Sequence, residues 1–171
     1  DCGATDTQAV QVGGPSGVCL SAFEFGRRIA FEDVPTAGAF MVFDRSRDMF
    51  EVARNFAHFF AHESCGFCTP CRVGTALVVK RLDKLAAGRG SRHDIDVLFE
   101  LDKLMHTATH CGLGAAACNS LRDTIQKFRP AYEQHLKSLY FEPGFDLDAE
   151  LSIARRMTGR DDPGAHLERT T

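Results

Sequence analysis

The stretch Glu63-Ser64-Cys65-Gly66-Phe67-Cys68-Thr69-Pro70-Cys71-Arg72 sets three cysteines two residues apart in a turn that holds a glycine and a proline. One short loop of this kind can wrap three corners of an inorganic cube, each thiolate capping a different iron. A [4Fe–4S] cluster takes four such ligands, and C-x2-C-x2-C with a remote fourth cysteine is one of its usual arrangements. The remote candidate is Cys111, in His110-Cys111-Gly112-Leu113-Gly114. The candidate ligands are therefore Cys65, Cys68, Cys71 and Cys111. Zinc is the rival metal. Structural zinc favours two separated C-x2-4-C knuckles, or a cysteine pair with a histidine pair, whereas this knuckle is a triplet followed by single cysteines. The same four side chains could still hold zinc in a docking module without redox chemistry. A cluster-free subunit used for regulation is a third reading. Disulfides fit least, because two bridges that share Cys68 cannot both form.

Working outward, the residues on both sides of the triplet have the texture of helix. Asp48 can cap a segment through His62, with Met49, Val52, Ala53, Phe56, Ala57 and Phe60 recurring on one face. A second helix starts near Cys71 and ends at Gly88-Arg89-Gly90, with Val78, Leu82 and Leu85 as its apolar stripe. Ser91 caps a third, with Asp94 in the capping-box position and Ile95, Leu98, Leu101 and Met105 facing inward. The Cys111-Gly112-Leu113-Gly114 run breaks it. A fourth is expected over 116–128 on Leu121, Ile125 and Phe128, and Pro130 opens a short piece over Ala131–Tyr140. Four such helices with short links form a bundle. In an up-down-up-down order the triplet loop and the Cys111 loop lie at the same end.

Residues 1–46 read instead as extended pieces: Ala9–Val12, Val18–Leu20, Arg28–Phe31 and Ala39–Phe43, with a turn at Gly13-Gly14-Pro15-Ser16-Gly17. That turn lacks both the P-loop lysine and the G-x-G-x-x-G pattern, so it connects strands rather than cradling phosphate. So few residues cannot bury a core of their own. They belong to a sheet whose other strands lie elsewhere. Beyond Phe141 the chain is polar, with one helical stretch expected around Asp148–Met157 and disordered last residues.

A chain of 171 residues has room for one ordinary domain or two small ones. Its net charge of −3 leaves no basic footprint for nucleic acid, and no run of about eighteen apolar residues would insert in a membrane. The chain starts at Asp1, as a processed protein or an excised fragment would. Seven cysteines, an odd number, favour a reducing compartment and metal ligation over a disulfide framework, so the expected location is the cytoplasm. Cys2, Cys19 and Cys118 fall outside the ligand pattern and read as small buried hydrophobes. The pairs His58/His62 and His106/His110 have helical i, i+4 spacing but no H-E-x-x-H, and read as packing or surface residues. His110 is a candidate donor to a cluster sulfur. Arg72 is a candidate for stabilising added negative charge, or for pairing with Glu63.

The run Glu63 to Gly74, with Cys111-Gly112-Leu113-Gly114, Lys127-Phe128-Arg129-Pro130 and the upstream Gly-Gly-Pro-Ser-Gly, resembles the flavin-bearing NADH dehydrogenase subunits. These include the flavoprotein subunit of respiratory complex I, the diaphorase subunit of NAD-reducing hydrogenases and the β subunit of NAD-dependent formate dehydrogenases. The resemblance covers about residues 8–140. It implies an α+β chain: a partial β-grasp segment over 1–46, a four-helix bundle with a [4Fe–4S] cluster over 47–141, and a polar tail over 142–171. It further implies that Cys65, Cys68, Cys71 and Cys111 are the ligands. FMN and NAD are expected on an upstream domain absent from this chain, which alone should bind neither. The implied role is relay of single electrons between FMN and further iron–sulfur centres on partner redox subunits. Phe145-Asp146-Leu147-Asp148 looks most like the hydrogenase diaphorase subunit, with a formate dehydrogenase partner close behind. The family often has alanine or a polar residue where Cys118 stands.

Overall fold

Strand β1 (Thr7–Val12) lies between β2 (Val18–Ser21) and β3 (Phe40–Asp44) in an antiparallel sheet of order β2-β1-β3. This is a computed structural model, and it describes residues 4–138 and 147–161. The β1–β2 hairpin closes through Gly13 and Gly14, both at positive φ (86° and 73°), so a side chain at either would be strained. Gly17 has a different constraint. A Cβ there would sit 1.8 Å from the Val12 carbonyl oxygen, which is backbone and cannot swing away. Ala9 and Cys19 pack on Met49, and Val12 and Leu20 pack on Val34, so the sheet has only small cores of its own.

The main core is helical. Helix α1 (Met49–Glu63) is capped by Asp48, whose carboxylate accepts the Phe50 N–H at 2.8 Å. It buries Met49, Phe50, Ala53, Phe56, Ala57 and Phe60, the stripe expected from its periodicity with Phe50 added and Val52 left half-buried. Phe50 meets the edge of the fully buried Tyr132 at 5.2 Å. Helix α2 (Thr69–Ala86) ends before Gly88 at φ +66°, and α3 (Arg92–Ala108) starts with both hydrogen bonds of the Ser91/Asp94 capping box. Leu82, Leu85, Leu98, Met105, Leu121 and Ile125 fill the space between them. Full burial of each such side chain stabilises by roughly 1.5–3 kcal/mol. Asp94 is wholly buried and receives Lys84 Nζ at 2.8 Å and Arg81 Nη1 at 2.7 Å, tying α2 to α3 at the end away from the cysteines.

Three expectations are corrected. Arg28–Phe31 is not a strand. The Arg27 guanidinium and the Arg28 N–H both bind the Asp33 carboxylate, and the Val34 N–H bonds the Arg28 carbonyl, so local bonds fold the segment back. The fourth helix, expected over 116–128, is α5 (Asn119–Lys127), and the stretch expected only as a break holds a short helix of its own, α4 (Gly112–Ala116), with Ala117–Cys118 between the two. The helix expected over Ala131–Tyr140 is the short α6 (Arg129–Glu133), after which β5 (Leu136–Ser138) pairs in parallel with β4 (Gly90–Ser91). Tyr140 lies outside the described residues.

The sheet is fastened to α5 by polar contacts. Buried Gln11 donates to Ser120 Oγ at 2.8 Å, Asp123 accepts the Cys19 N–H at 3.0 Å, and Lys127 Nζ donates to the Cys19 carbonyl at 2.6 Å and pairs with Glu24. These residues lie in one compact unit, Asp1–Phe141. A second, Glu142–Thr171, contains α7 (Leu147–Thr158), where Arg155 binds Asp148 at 2.9 Å. The helix expected around Asp148–Met157 is α7, while the rest of the tail expectation, including Phe145-Asp146 and the last ten residues, falls outside the described residues. No helix among the described residues is long and apolar enough to cross a membrane.

Candidate metal centre

The cysteine triplet occupies the corner between α1 and α2. Ser64 ends α1 in extended conformation, Gly66 turns the chain at φ +76°, and Cys68 is the N-cap of α2 with Pro70 in its first turn. Cys65 is exposed, Cys68 half-buried and Cys71 buried. Proline suits this position because the first helical N–H groups have no partner within the helix. Arg72 staples the corner, donating Nη1–H to the Gly66 carbonyl and Nη2–H to Thr69 Oγ1 at 3.4 Å. It does not pair with Glu63, which faces His62 at 3.0 Å.

Cys111 stands at the corner between α3 and α4, exposed, as the N-cap of α4. The two corners meet through the residues that precede Cys68 and Cys111, Phe67 and His110. The His110 ring touches the Phe67 ring edge-on at 5.5 Å.

Electrostatics at Cys68 favour thiolate. Its thiol is held below the usual thiol range first by the His110 N–H, then by the Cys71 N–H. Burial opposes them, and its own N–H and the Arg72 charge add to the lowering. Ser64 Oγ lies 3.3 Å from the Cys71 sulfur, a contact the spacing of cysteines gave no reason to seek, although a serine two residues before a glycine is an ST-turn signal. Thr75 donates to the Cys71 carbonyl at 2.8 Å.

The remaining thiols behave differently. Burial pushes both Cys19 and Cys118 up to about 12, with help from Asp123 and Asp102 respectively. Cys118 lies 4.0 Å from the Met105 sulfur, and both cysteines pack as small hydrophobes, as expected. Cys2 is outside the described residues. His58 faces Asp83 at 3.2 Å and His106 faces the Ala115 carbonyl at 3.2 Å, consistent with packing and surface roles.

Among the described residues, no three His, Cys, Asp or Glu side chains converge on a single-ion position. A tetrahedral zinc with Zn–S near 2.3 Å would draw its sulfurs to about 3.8 Å from one another. A cube gives each thiolate its own iron and spreads the set more widely. Four free thiols stand on the two adjoining corners, with a serine hydroxyl 3.3 Å from one of the sulfurs.

The NADH-ubiquinone oxidoreductase-F iron–sulfur binding region matches residues 51–135, a span that holds all four of these cysteines. Over that span this chain belongs to that family. Its NADH-ubiquinone oxidoreductase-F region has relatives in hydrogenases. The chain is 38% identical over 152 residues to the NAD-reducing hydrogenase HoxS subunit alpha of Cupriavidus necator, covering 87% of this chain and 25% of the relative. It is 35% identical over 135 residues to the NADP-reducing hydrogenase subunit HndC of Solidesulfovibrio fructosivorans, covering 75% and 28%. A solved NAD+-reducing [NiFe]-hydrogenase in the H2-reduced state superposes with a TM-score of 0.80 at 50% identity, over 94% of this chain and 28% of that one. The chain thus spans about a quarter of the length of the curated relatives it matches.

Proposed function

We propose that this chain is the electron-relay portion of an NADH dehydrogenase (diaphorase) subunit, with Cys65, Cys68, Cys71 and Cys111 holding a [4Fe–4S] cluster. The observation that carries the reading is the meeting of the two cysteine corners, made by the Phe67 and His110 rings at 5.5 Å inside the matched iron–sulfur binding region. When bound, such a cluster accepts and releases one electron at a time. This suits a subunit that must split the two electrons of a hydride between a flavin and one-electron carriers. The chain's own residues do the holding and tuning. Peptide N–H groups favour thiolate at Cys68, Arg72 supplies positive charge, and burial shields Cys71 from water.

In this reading FMN and NAD belong to upstream sequence of the full-length subunit, and the partners are redox subunits that carry further iron–sulfur centres. Residues 1–46 form part of a β-grasp domain and 47–141 the cluster domain, with α1, α2, α3 and the α4–α5 pair as the four members of a bundle. Residues 142–171 are a separate polar tail. Free, unpaired cysteines support a cytoplasmic location. The hydrogenase diaphorase is the favoured assembly, supported by the hydrogenase relatives.

Replacing Cys111 with Ser in the anaerobically purified protein tests the ligand assignment. The expected result is loss of most bound iron and of the charge-transfer absorbance, while Cys118→Ser keeps both. Retention of a full cluster in Cys111→Ser refutes the assignment. Stoichiometric zinc in place of iron in the unaltered protein would favour the docking module.

A further inference from the structure

We propose that Ser64 sets the reduction potential of this site by donating its hydroxyl hydrogen to the Cys71 sulfur. The inference rests on the relay reading above and adds a residue that none of the cysteine spacing identifies. Ser64 Oγ stands 3.3 Å from Cys71 Sγ, within the reach of a bond to sulfur. Either atom could donate while Cys71 keeps its proton. A ligating cysteine is a thiolate without a proton, so in the loaded site only the serine can.

The surrounding chain turns the hydroxyl the same way. The Gly66 N–H points at Ser64 Oγ, 3.4 Å away, and an N–H can only donate. The serine oxygen is therefore the acceptor on that side, and its own hydrogen is free for sulfur. Gly66 presents its N–H in this direction because the chain is at φ +76°, and the Arg72 guanidinium holds the adjoining Gly66 carbonyl. The donor is thus fixed before any electron arrives.

Its position gives it weight. Cys65 and Cys111 are exposed, so water can supply donors to their sulfurs, whereas Cys71 is 5% exposed and relies on the protein. Adding an electron makes the ligand sulfurs more negative, so a donor to sulfur stabilises the reduced form more than the oxidised form and raises the potential. Removing the hydroxyl has the opposite effect. Water entering the space left by Ser64→Ala would supply new donors and push the potential up, so the sign separates loss of this bond from simple loosening.

The test is redox titration of the anaerobically purified chain, followed by EPR, for the unaltered protein, Ser64→Ala and Ser64→Thr, with iron content measured in each. Ser64→Ala should keep its iron and become harder to reduce, by on the order of tenfold in the reduction equilibrium constant, which for a one-electron couple is about 59 mV. Ser64→Thr, which keeps the hydroxyl, should titrate with the unaltered protein. An Ala variant that titrates unchanged, or more positive, overturns the inference. If the Ala variant loses its iron, Ser64→Thr decides: the unaltered potential supports the hydroxyl, and a displaced one overturns it. Absence of a cluster from the unaltered protein ends the relay reading itself, whereas a cluster whose potential ignores Ser64 ends only this inference.

Discussion

Replacing Asp94 with Ala should be among the most destabilising single changes in the helical core. The carboxylate has no exposed surface, and it accepts from Lys84 Nζ at 2.8 and 3.0 Å, Arg81 Nη1 at 2.7 Å, and the Ser91 N–H and hydroxyl at 2.8 Å each. Its removal leaves the Lys84 ammonium, only 6% exposed, without this counter-charge and opens the α3 capping box. Breaking a buried pair from one side costs about 3–5 kcal/mol. At about 3 °C per kcal/mol for a unit of this size, the melting temperature should fall by about 12 °C. Far-UV circular dichroism during thermal and urea unfolding measures it. Part of the cost comes from breaking the buried Lys84–Asp94 pair from one side, so Lys84→Met combined with Asp94→Leu, which removes both members, should recover part of the loss. Burial raises the Asp94 pKa, but Lys84 first, then Ser91 and Arg81, outweigh it and hold the group below the usual carboxylate range. Its contribution is therefore present above the unfolded value of about 3.9 and is lost as pH falls through the lower folded one. A loss under about 1 kcal/mol in Asp94→Ala, or a double variant no more stable than the single one, refutes the reasoning.

Two further outcomes concern the sheet and its attachment. Glu24 is lowered to about 2: burial pushes it up, but bonds from Ser21 and the Lys127 ammonium outweigh that. The stability difference between the unaltered protein and Glu24→Gln should be full above about pH 4.3 and vanish as pH falls toward 2, measured by urea unfolding across that range. Gly17→Ala puts a methyl group 1.8 Å from the Val12 carbonyl oxygen and should cost about 3 kcal/mol, read as a lower urea midpoint. An unchanged midpoint would mean that the hairpin backbone yields more freely than its contacts indicate.

What the sequence conveyed, and what it withheld, follows the range of the interactions. Asp48, Gly88 and Ser91 with Asp94 are signals carried by a few neighbouring residues, and α1, α2 and α3 begin and end where those residues stand. The short α4 escaped notice because its two glycines read as a breaker, and α5 starts later than its Leu121 and Ile125 spacing suggests because Cys118, with ψ of 3°, lies outside the helical range. The β4–β5 ladder joins Gly90–Ser91 to Leu136–Ser138, a pairing across the whole helical unit that no local pattern carries. At the metal centre the cysteine spacing was legible, but the groups that condition it were not. His110 reaches Phe67, beside Cys68, only because α2 and α3 bring their cysteine corners together, and Ser64 reaches Cys71 only around the Gly66 turn. Lys84 and Arg81 converge on Asp94 for the same reason, from a different helix.

The most direct test of the central claim is iron, sulfide and zinc analysis of the anaerobically purified chain, together with EPR after dithionite reduction. The account predicts about four iron and four sulfide per chain, and a reduced-state cluster signal that returns to silence on reoxidation. One zinc per chain, with no acid-labile sulfide and no signal on reduction, would contradict it.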